Sequence, residues 1–227
     1  MLICIPEVLT KAEVAEFRSA LKLANWVDGL STAGAQAAEI KKNRQVATDC
    51  PIGAKLGAQI LKALSRQPMF ISAALPKTFL PPMFNAYASG ETFGVHVDNA
   101  IRVVPATGER LRTDLSMTLF LSEPEEYEGG ELTIETEYGA QSAKLPAGDL
   151  ILYPSTSLHQ VTPVTAGERV CSFFWLQSMI RDEGERTMLF DLDQTIQAIS
   201  ASRGAGDADA VRLTGLYHNL IRKWADL

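Results

Sequence analysis

His96 and Asp98 stand two residues apart in Phe93-Gly94-Val95-His96-Val97-Asp98, and His159 follows much later in Leu158-His159-Gln160-Val161. On an extended strand side chains alternate between faces, so His96 and Asp98 project together while Val95 and Val97 point away. A helix would set the pair on nearly opposite sides. An imidazole and a carboxylate side by side can hold one face of a metal ion, and an imidazole from a distant strand completes the set. Two histidines and one carboxylate leave coordination positions open and suit non-haem Fe(II). The chain has three histidines, and this arrangement uses two of them. The duller explanation is a pair of satisfied core histidines and a turn aspartate that happen to lie near strands.

Arg169 is the fourth residue of interest. Val161 to Arg169 reads as a hairpin turning at Ala166-Gly167. On the returning strand Arg169 shares a face with Cys171, Phe173 and Trp175, mostly apolar company. A guanidinium aimed into an apolar interior needs a partner, because an unpaired buried charge is very costly. Either an internal carboxylate or a ligand carboxylate supplies it, and arginine suits bidentate carboxylate binding. Otherwise Arg169 faces solvent or pairs with Glu168 or Asp149.

These residues need strands to carry them. From about Phe70 to Ser178 the chain breaks into short apolar runs separated by Gly, Pro and acidic turns. Strands are expected at 79–88, 92–98, 114–122, 131–136, 140–145, 149–153, 159–165 and 168–178. Such a series suggests a jelly roll or another closed β sandwich. Asn99 to Thr113, carrying Arg102, Arg110 and Arg112, is expected as a long loop after two candidate ligands, suited to a lid. Helices flank the series. Thr10-Lys11-Ala12-Glu13 has capping-box form before Val14, Phe17 and Leu21, in a helix running to about Ala24. Asn25 to Gly34 is turn-rich, and a second helix is predicted from Pro51 to Ser65, with Ile52, Leu56, Ile60 and Leu64 on one face. Two more are predicted over Glu185–Ser202, with a face of Met188, Leu189, Leu192, Ile196 and Ile199, and over Ala208–Trp224, N-capped by Asp207.

At 227 residues the chain can form one sizeable domain with an added element. Its 46% hydrophobic and 21% charged content is ordinary for a soluble protein. A formal charge of -6, with no basic patch, argues against a general nucleic-acid binder. Cys4, Cys50 and Cys171 are odd in number and far apart, which suggests neither a disulfide framework nor a zinc cluster. The N-terminus lacks the form of a signal peptide, and no apolar run approaches the roughly 18 residues of a membrane helix. A cytoplasmic protein is the expectation.

In combination, Tyr87-Ala88-Ser89-Gly90, His96-Val97-Asp98, Asp114-Leu115-Ser116, Gly129-Gly130-Glu131-Leu132, Gly148-Asp149 and His159 with Arg169 ten positions on resemble a known pattern. It is that of the Fe(II)- and 2-oxoglutarate-dependent dioxygenases of the prolyl-4-hydroxylase type. With its helical tail the whole chain is similar to the bacterial PKHD-type hydroxylases. The resemblance implies an α+β fold with a double-stranded β-helix (jelly-roll) core at 78–178. A helical and strand brace at 1–77 and a C-terminal helical region at 179–227 complete it. It further implies that His96, Asp98 and His159 bind Fe(II), that Arg169 anchors the distal carboxylate of 2-oxoglutarate, and that Tyr87 lies near that cosubstrate, where the plain alternative is a core aromatic. The implied reaction consumes O2, decarboxylates 2-oxoglutarate to succinate and hydroxylates an unidentified substrate, a peptidyl residue or a small molecule, with L-ascorbate as auxiliary.

Two rivals keep the ligands: a metal-binding sensor without turnover, and a cupin-like metalloenzyme that has no use for Arg169. Arg102, Arg110 and Arg112 suit an anionic substrate or are simply solvated. His218, Trp175 and Trp224 are expected to be packing or surface residues, and Glu123 to Glu128 a solvated turn. Cys171 is expected near the metal, with nothing marking it as a nucleophile. The C-terminal helices either mediate a homo-oligomer or cover one side of the barrel.

Overall fold

The run Leu115–Phe120 (β10) is buried at all six positions, as a strand must be when both faces of its sheet are covered. The computed structural model that shows this describes residues 1–32, 39–105 and 107–227. β10 lies inside an eight-stranded, antiparallel sheet. From one edge it runs β1 (Ile3–Ile5), β14 (Leu150–Pro154), β10, β17 (Arg169–Ser178), β6 (Met83–Tyr87), β4 (Arg44–Val46) and β2 (Trp26–Asp28), and β5 (Pro76–Phe79) also pairs with β17. The second sheet has five strands: β13 (Gly139–Ala143), β12 (Leu132–Thr136), β15 (His159–Val161), β7 (Thr92–His96) and β3 (Lys41–Lys42).

One apolar cluster joins the sheets. Tyr87, Phe120, Ile151 and Cys171 of the larger sheet pack with Leu132, Ile134 and Val161 of the smaller. Another fills the far side of the larger sheet, where Val14, Phe17 and Leu21 of helix α1 (Lys11–Leu21) and Leu56, Ile60 and Leu64 of α2 (Pro51–Leu64) meet Phe84, Leu119 and Phe174. Helix α1 starts with the expected capping box, in which Thr10 and Glu13 satisfy each other's backbone N–H groups. The result is a helical layer, a large sheet and a small sheet.

Several expectations are corrected. Val161 and Arg169 do not form one hairpin, because β15 lies in the small sheet and β17 in the large one. Val164–Gly167 (β16) pairs instead with Tyr127–Gly129 (β11), carrying the chain around the corner of the sandwich. Gly167 has φ +73°, and a Cβ there would sit 2.0 Å from the Glu126 carbonyl oxygen, so the corner requires glycine. Residues 99 to 113 hold a short hairpin, β8 (Ile101–Val103) with β9 (Arg110–Arg112); position 106 lies outside the described residues. The strand expected at 79–88 is divided by Leu80-Pro81-Pro82, since proline cannot donate to the ladder. Helix α3 (Pro68–Ala74) occupies sequence where strand character was expected. Within the turn-rich stretch, residues 26–28 form β2 and Gly29–Thr32 a 3-10 turn, while 33 and 34 lie outside the described residues.

At the C-terminus α4 (Glu183–Arg203) and α5 (Ala208–Trp224) are N-capped by Asp182 and Asp207. Leu189 of α4 is buried with Leu75 and Ile180, and Ser72 of α3 donates to Asp193 at 2.6 Å, so the pair covers one side of the barrel. Met188, expected on that face, is turned outward and 55% exposed. No helix among the described residues is long and apolar enough to cross a membrane.

Candidate metal centre and its pocket

β7 and β15 are antiparallel neighbours, and their register sets His96 opposite His159. The ring centroids are 4.2 Å apart. β7 ends at His96, so Asp98 belongs to the segment beyond the strand and not to its alternation, contrary to the extended reading of 93–98. Its carboxylate is nevertheless brought back to the pair: one ligand atom from each of His96, Asp98 and His159 lies within 4.8 Å of the others. What holds it is the opposite sheet. Ser116 of β10 donates its hydroxyl to Asp98 Oδ2 at 2.6 Å, and Ser155 lies 2.7 Å from the same hydroxyl. Asp98 Oδ2 is 3.7 Å from His159 Nε2.

The histidines are oriented through their own backbone. His96 Nδ1 is 2.8 Å from the Gly94 carbonyl, and His159 Nδ1 is 3.0 Å from that of Ser157. A carbonyl only accepts, so Nδ1 carries the hydrogen in each ring and the Nε2 lone pair remains for a metal. Burial, and then the neighbouring His159, lower the His96 pKa to about 4. The neutral imidazole, which is the ligating form, therefore prevails at neutral pH. Two nitrogens and one carboxylate converging from one side, with second partners already in place, fit a non-haem iron of the facial type.

Arg169 is 1% exposed and faces Tyr87 across the β17–β6 pair. Its guanidinium carbon lies 5.4 Å from the Tyr87 ring and 5.2 Å from that of Phe120. Nε and Nη2 are buried and, among the described residues, have no hydrogen-bond partner. The anticipated internal partners are engaged elsewhere: Glu168 accepts from Arg44 at 2.7 Å, and Asp149 accepts from the Glu7 amide at 2.9 Å. A buried cation with free donors in a cavity is matched by a ligand carboxylate. Tyr87 is buried beside it, and burial pushes its pKa to about 12, so it remains a phenol.

The cavity encloses about 90 Å³ and brings together His96, Asp98, His159, Arg169 and Tyr87. It also exposes residues that sequence reasoning set aside. Trp175, expected to be packing, lines the wall with Phe173; its alternation with Arg169 along β17 was the available signal. Lys41 lines it too, with burial lowering its ammonium pKa to about 8, but a two-residue strand carries no periodicity from which to find it. Of the three hairpin arginines only Arg102 reaches the cavity. Arg112 is bound by Asp114 at 2.7 Å and Asp226 at 3.4 Å, and Arg110 is exposed. Cys171 is buried between Asn85 and Phe120 on the neighbouring strands and does not line the cavity. His218 is exposed on α5, against the Tyr217 ring.

Comparison with known proteins agrees with this geometry. Residues 82–177 match the family model described as the 2OG-Fe(II) oxygenase superfamily, and residues 183–226 that of the PKHD-type hydroxylase C-terminal domain. A PKHD-type hydroxylase of Burkholderia cenocepacia (strain HI2424) is 60% identical over 226 residues, covering 100% of both chains. Another from Burkholderia lata is 59% identical over the same extent, again 100% of both. Among solved structures, the fold is similar to a prolyl hydroxylase from Trichoplax adhaerens in complex with a hypoxia inducible factor peptide fragment. That pair has a TM-score of 0.55 at 18% identity, covering 82% of this chain and 86% of the other. HygX from Streptomyces hygroscopicus, with nickel, 2-oxoglutarate and hygromycin B bound, has a TM-score of 0.51 at 15% identity, covering 76% and 81%. At such identities the structural likeness concerns the fold alone.

Proposed function

Because the chain belongs to the PKHD-type hydroxylases of the 2OG-Fe(II) oxygenase superfamily, we propose that His96, Asp98 and His159 hold its Fe(II) and that Arg169 receives the distal carboxylate of 2-oxoglutarate. The protein is a 2-oxoglutarate-dependent dioxygenase, a hydroxylase. When bound, the metal and cosubstrate supply the oxidising chemistry, in which O2-dependent decarboxylation of 2-oxoglutarate to succinate is coupled to hydroxylation. The chain's own residues bind and orient. The two imidazoles present Nε2 because Gly94 and Ser157 fix their tautomers. Ser116 keeps the Asp98 carboxylate aimed, and the Arg169 donors fix the far end of the cosubstrate. Tyr87, a buried phenol beside that guanidinium, is assigned a place against the same carboxylate.

The observation that carries the reading is the buried guanidinium of Arg169, with two nitrogen atoms that have no hydrogen-bond partner among the described residues, in the metal-site cavity. A cupin-like centre or a metal sensor gives no reason to retain so costly a group. L-ascorbate belongs to the proposal as the auxiliary reductant that keeps an N,O-ligated iron ferrous. Cys4, Cys50 and Cys171 are all free, which supports a reducing, cytoplasmic setting.

Titration calorimetry of the Mn(II)-loaded protein with 2-oxoglutarate tests the assignment. In Arg169→Ala the affinity should fall about 10- to 100-fold, as expected for lost charge-assisted hydrogen bonds, with Mn(II) affinity unchanged. Unaltered 2-oxoglutarate affinity would contradict it.

A further inference from the structure

A second cavity of about 480 Å³ adjoins the metal-site cavity, and Asn99 and Arg102 line both. Its lining is largely apolar and includes Leu80, Pro81, Pro82 and Met83 together with Ile101 and Val103 of the β8 strand. The volume lies in the range of small-molecule sites, about 300–1,000 Å³. Arg102 stands at the junction. Its guanidinium carbon lies 4.2 Å from the centre of the Trp175 ring, and among the described residues it makes no hydrogen bond and no ion pair. The carboxylate whose field it feels is Asp98, which is already hydrogen-bonded by Ser116 and turned toward the histidines. Charge balance points the same way. The two negative charges of 2-oxoglutarate and that of Asp98 match those of a divalent ion and Arg169, which leaves Arg102 outside that balance; Lys41, the cavity's other cation, feels Asp28 as well as Asp98.

We propose that Arg102 selects the primary substrate, a carboxylate-bearing small molecule with an apolar remainder. Its carboxylate pairs with the guanidinium on the Trp175 face, and its apolar part occupies the 480 Å³ cavity. Arginine stacked on an indole keeps its planar fork free for bidentate carboxylate binding, so the stack preorganises the site. The shared boundary at Asn99 and Arg102 directs a carbon near the carboxylate toward the metal centre. The overall reaction is that of the proposed function: one oxygen atom of O2 enters the new C–OH, the other enters succinate, and CO2 leaves. The inference rests on reading the inner cavity as the iron and 2-oxoglutarate site.

The test uses the full chain loaded with Mn(II) and 2-oxoglutarate. The probes are decanoate and 4-phenylbutyrate, their primary amides, and the peptide acetyl-Leu-Pro-Glu-Leu-amide with its Gln counterpart, all followed by calorimetry. The free acids are expected to bind about tenfold or more tightly than their amides, as a charge-assisted pair implies. Arg102→Met, which keeps an apolar body against Trp175, should abolish the preference and leave 2-oxoglutarate affinity at the wild-type value; Arg102→Lys should retain a preference for the acids. Equal binding of acids and amides, no binding of either, or a preference surviving in Arg102→Met would overturn the proposal. Recognition of the Glu peptide alone would overturn the small-molecule class. Failure of the wild type to bind 2-oxoglutarate would instead count against the iron and 2-oxoglutarate reading.

Discussion

Asp98 is held by a residue of the larger sheet that sequence order does not reveal: Ser116, whose hydroxyl donates to its carboxylate at 2.6 Å. Outer partners of metal ligands typically govern affinity about 10- to 100-fold, so Ser116→Ala is expected to weaken Fe(II) or Mn(II) binding by that factor without unfolding the protein. Metal titration of the purified variant checks this, and wild-type affinity would remove Ser116 from the site. The four candidates His96, Asp98, His159 and Arg169, which the structure gathers around one cavity, could be singled out because their types are chemically scarce and costly to bury unpaired. Trp175 and Arg102 were less so. An indole is at home in any core, and three arginines in one hairpin look alike until Asp114 and Asp226 are seen to occupy Arg112.

At the scale of elements, strand register does the positioning. His96 meets His159 because β7 pairs with β15, and Arg169 enters the interior because odd-numbered residues of β17 face it while Val170 and Leu176 face the helices. Gly130, with φ +66°, lets the β11–β12 turn pass beside the arginine: a Cβ there would stand 2.9 Å from Val164 Cγ2 and 3.2 Å from Arg169 Cδ. Gly130→Ala should therefore cost about 1–3 kcal/mol in denaturant unfolding, the usual strain of a non-glycine residue in this conformation, and weaken 2-oxoglutarate binding with it. A variant of wild-type stability and affinity would show that the turn does not hold Arg169. The sequence revealed β10 and β17 through long apolar runs. It misassigned residues 161–169 because a Gly turn announces a local reversal and not which sheet each flank joins. Strands of two or three residues such as β3 and β8 are too short for periodicity to register.

In the whole molecule, helices α1 and α2 back the large sheet, and α4 and α5 close its side through Leu75, Ile180 and Leu189. The tail also returns to the barrel: Ile180 bridges to Ala225, and Asp226 reaches Arg112 of the hairpin that carries Arg102. Leu189 is fully buried, so Leu189→Ala is expected to destabilise the fold by about 2–5 kcal/mol, measured as a fall in the denaturant midpoint. An unchanged midpoint would mean that α4 contributes nothing to the core. The four main helices were legible from caps and 3.6-residue spacing. Their docking was not, since Met188 and Leu189 are equally apolar and only the packed structure turns one outward.

The most direct measurement is an anaerobic absorption titration of the Fe(II)-loaded protein with 2-oxoglutarate, in wild type and in Arg169→Ala. A visible charge-transfer band that saturates in the wild type, and that needs far more 2-oxoglutarate in the variant, is the expected result. Iron bound without any such band, or a band of equal midpoint in both proteins, would contradict the assignment of this cavity to a chelated 2-oxo acid anchored by Arg169.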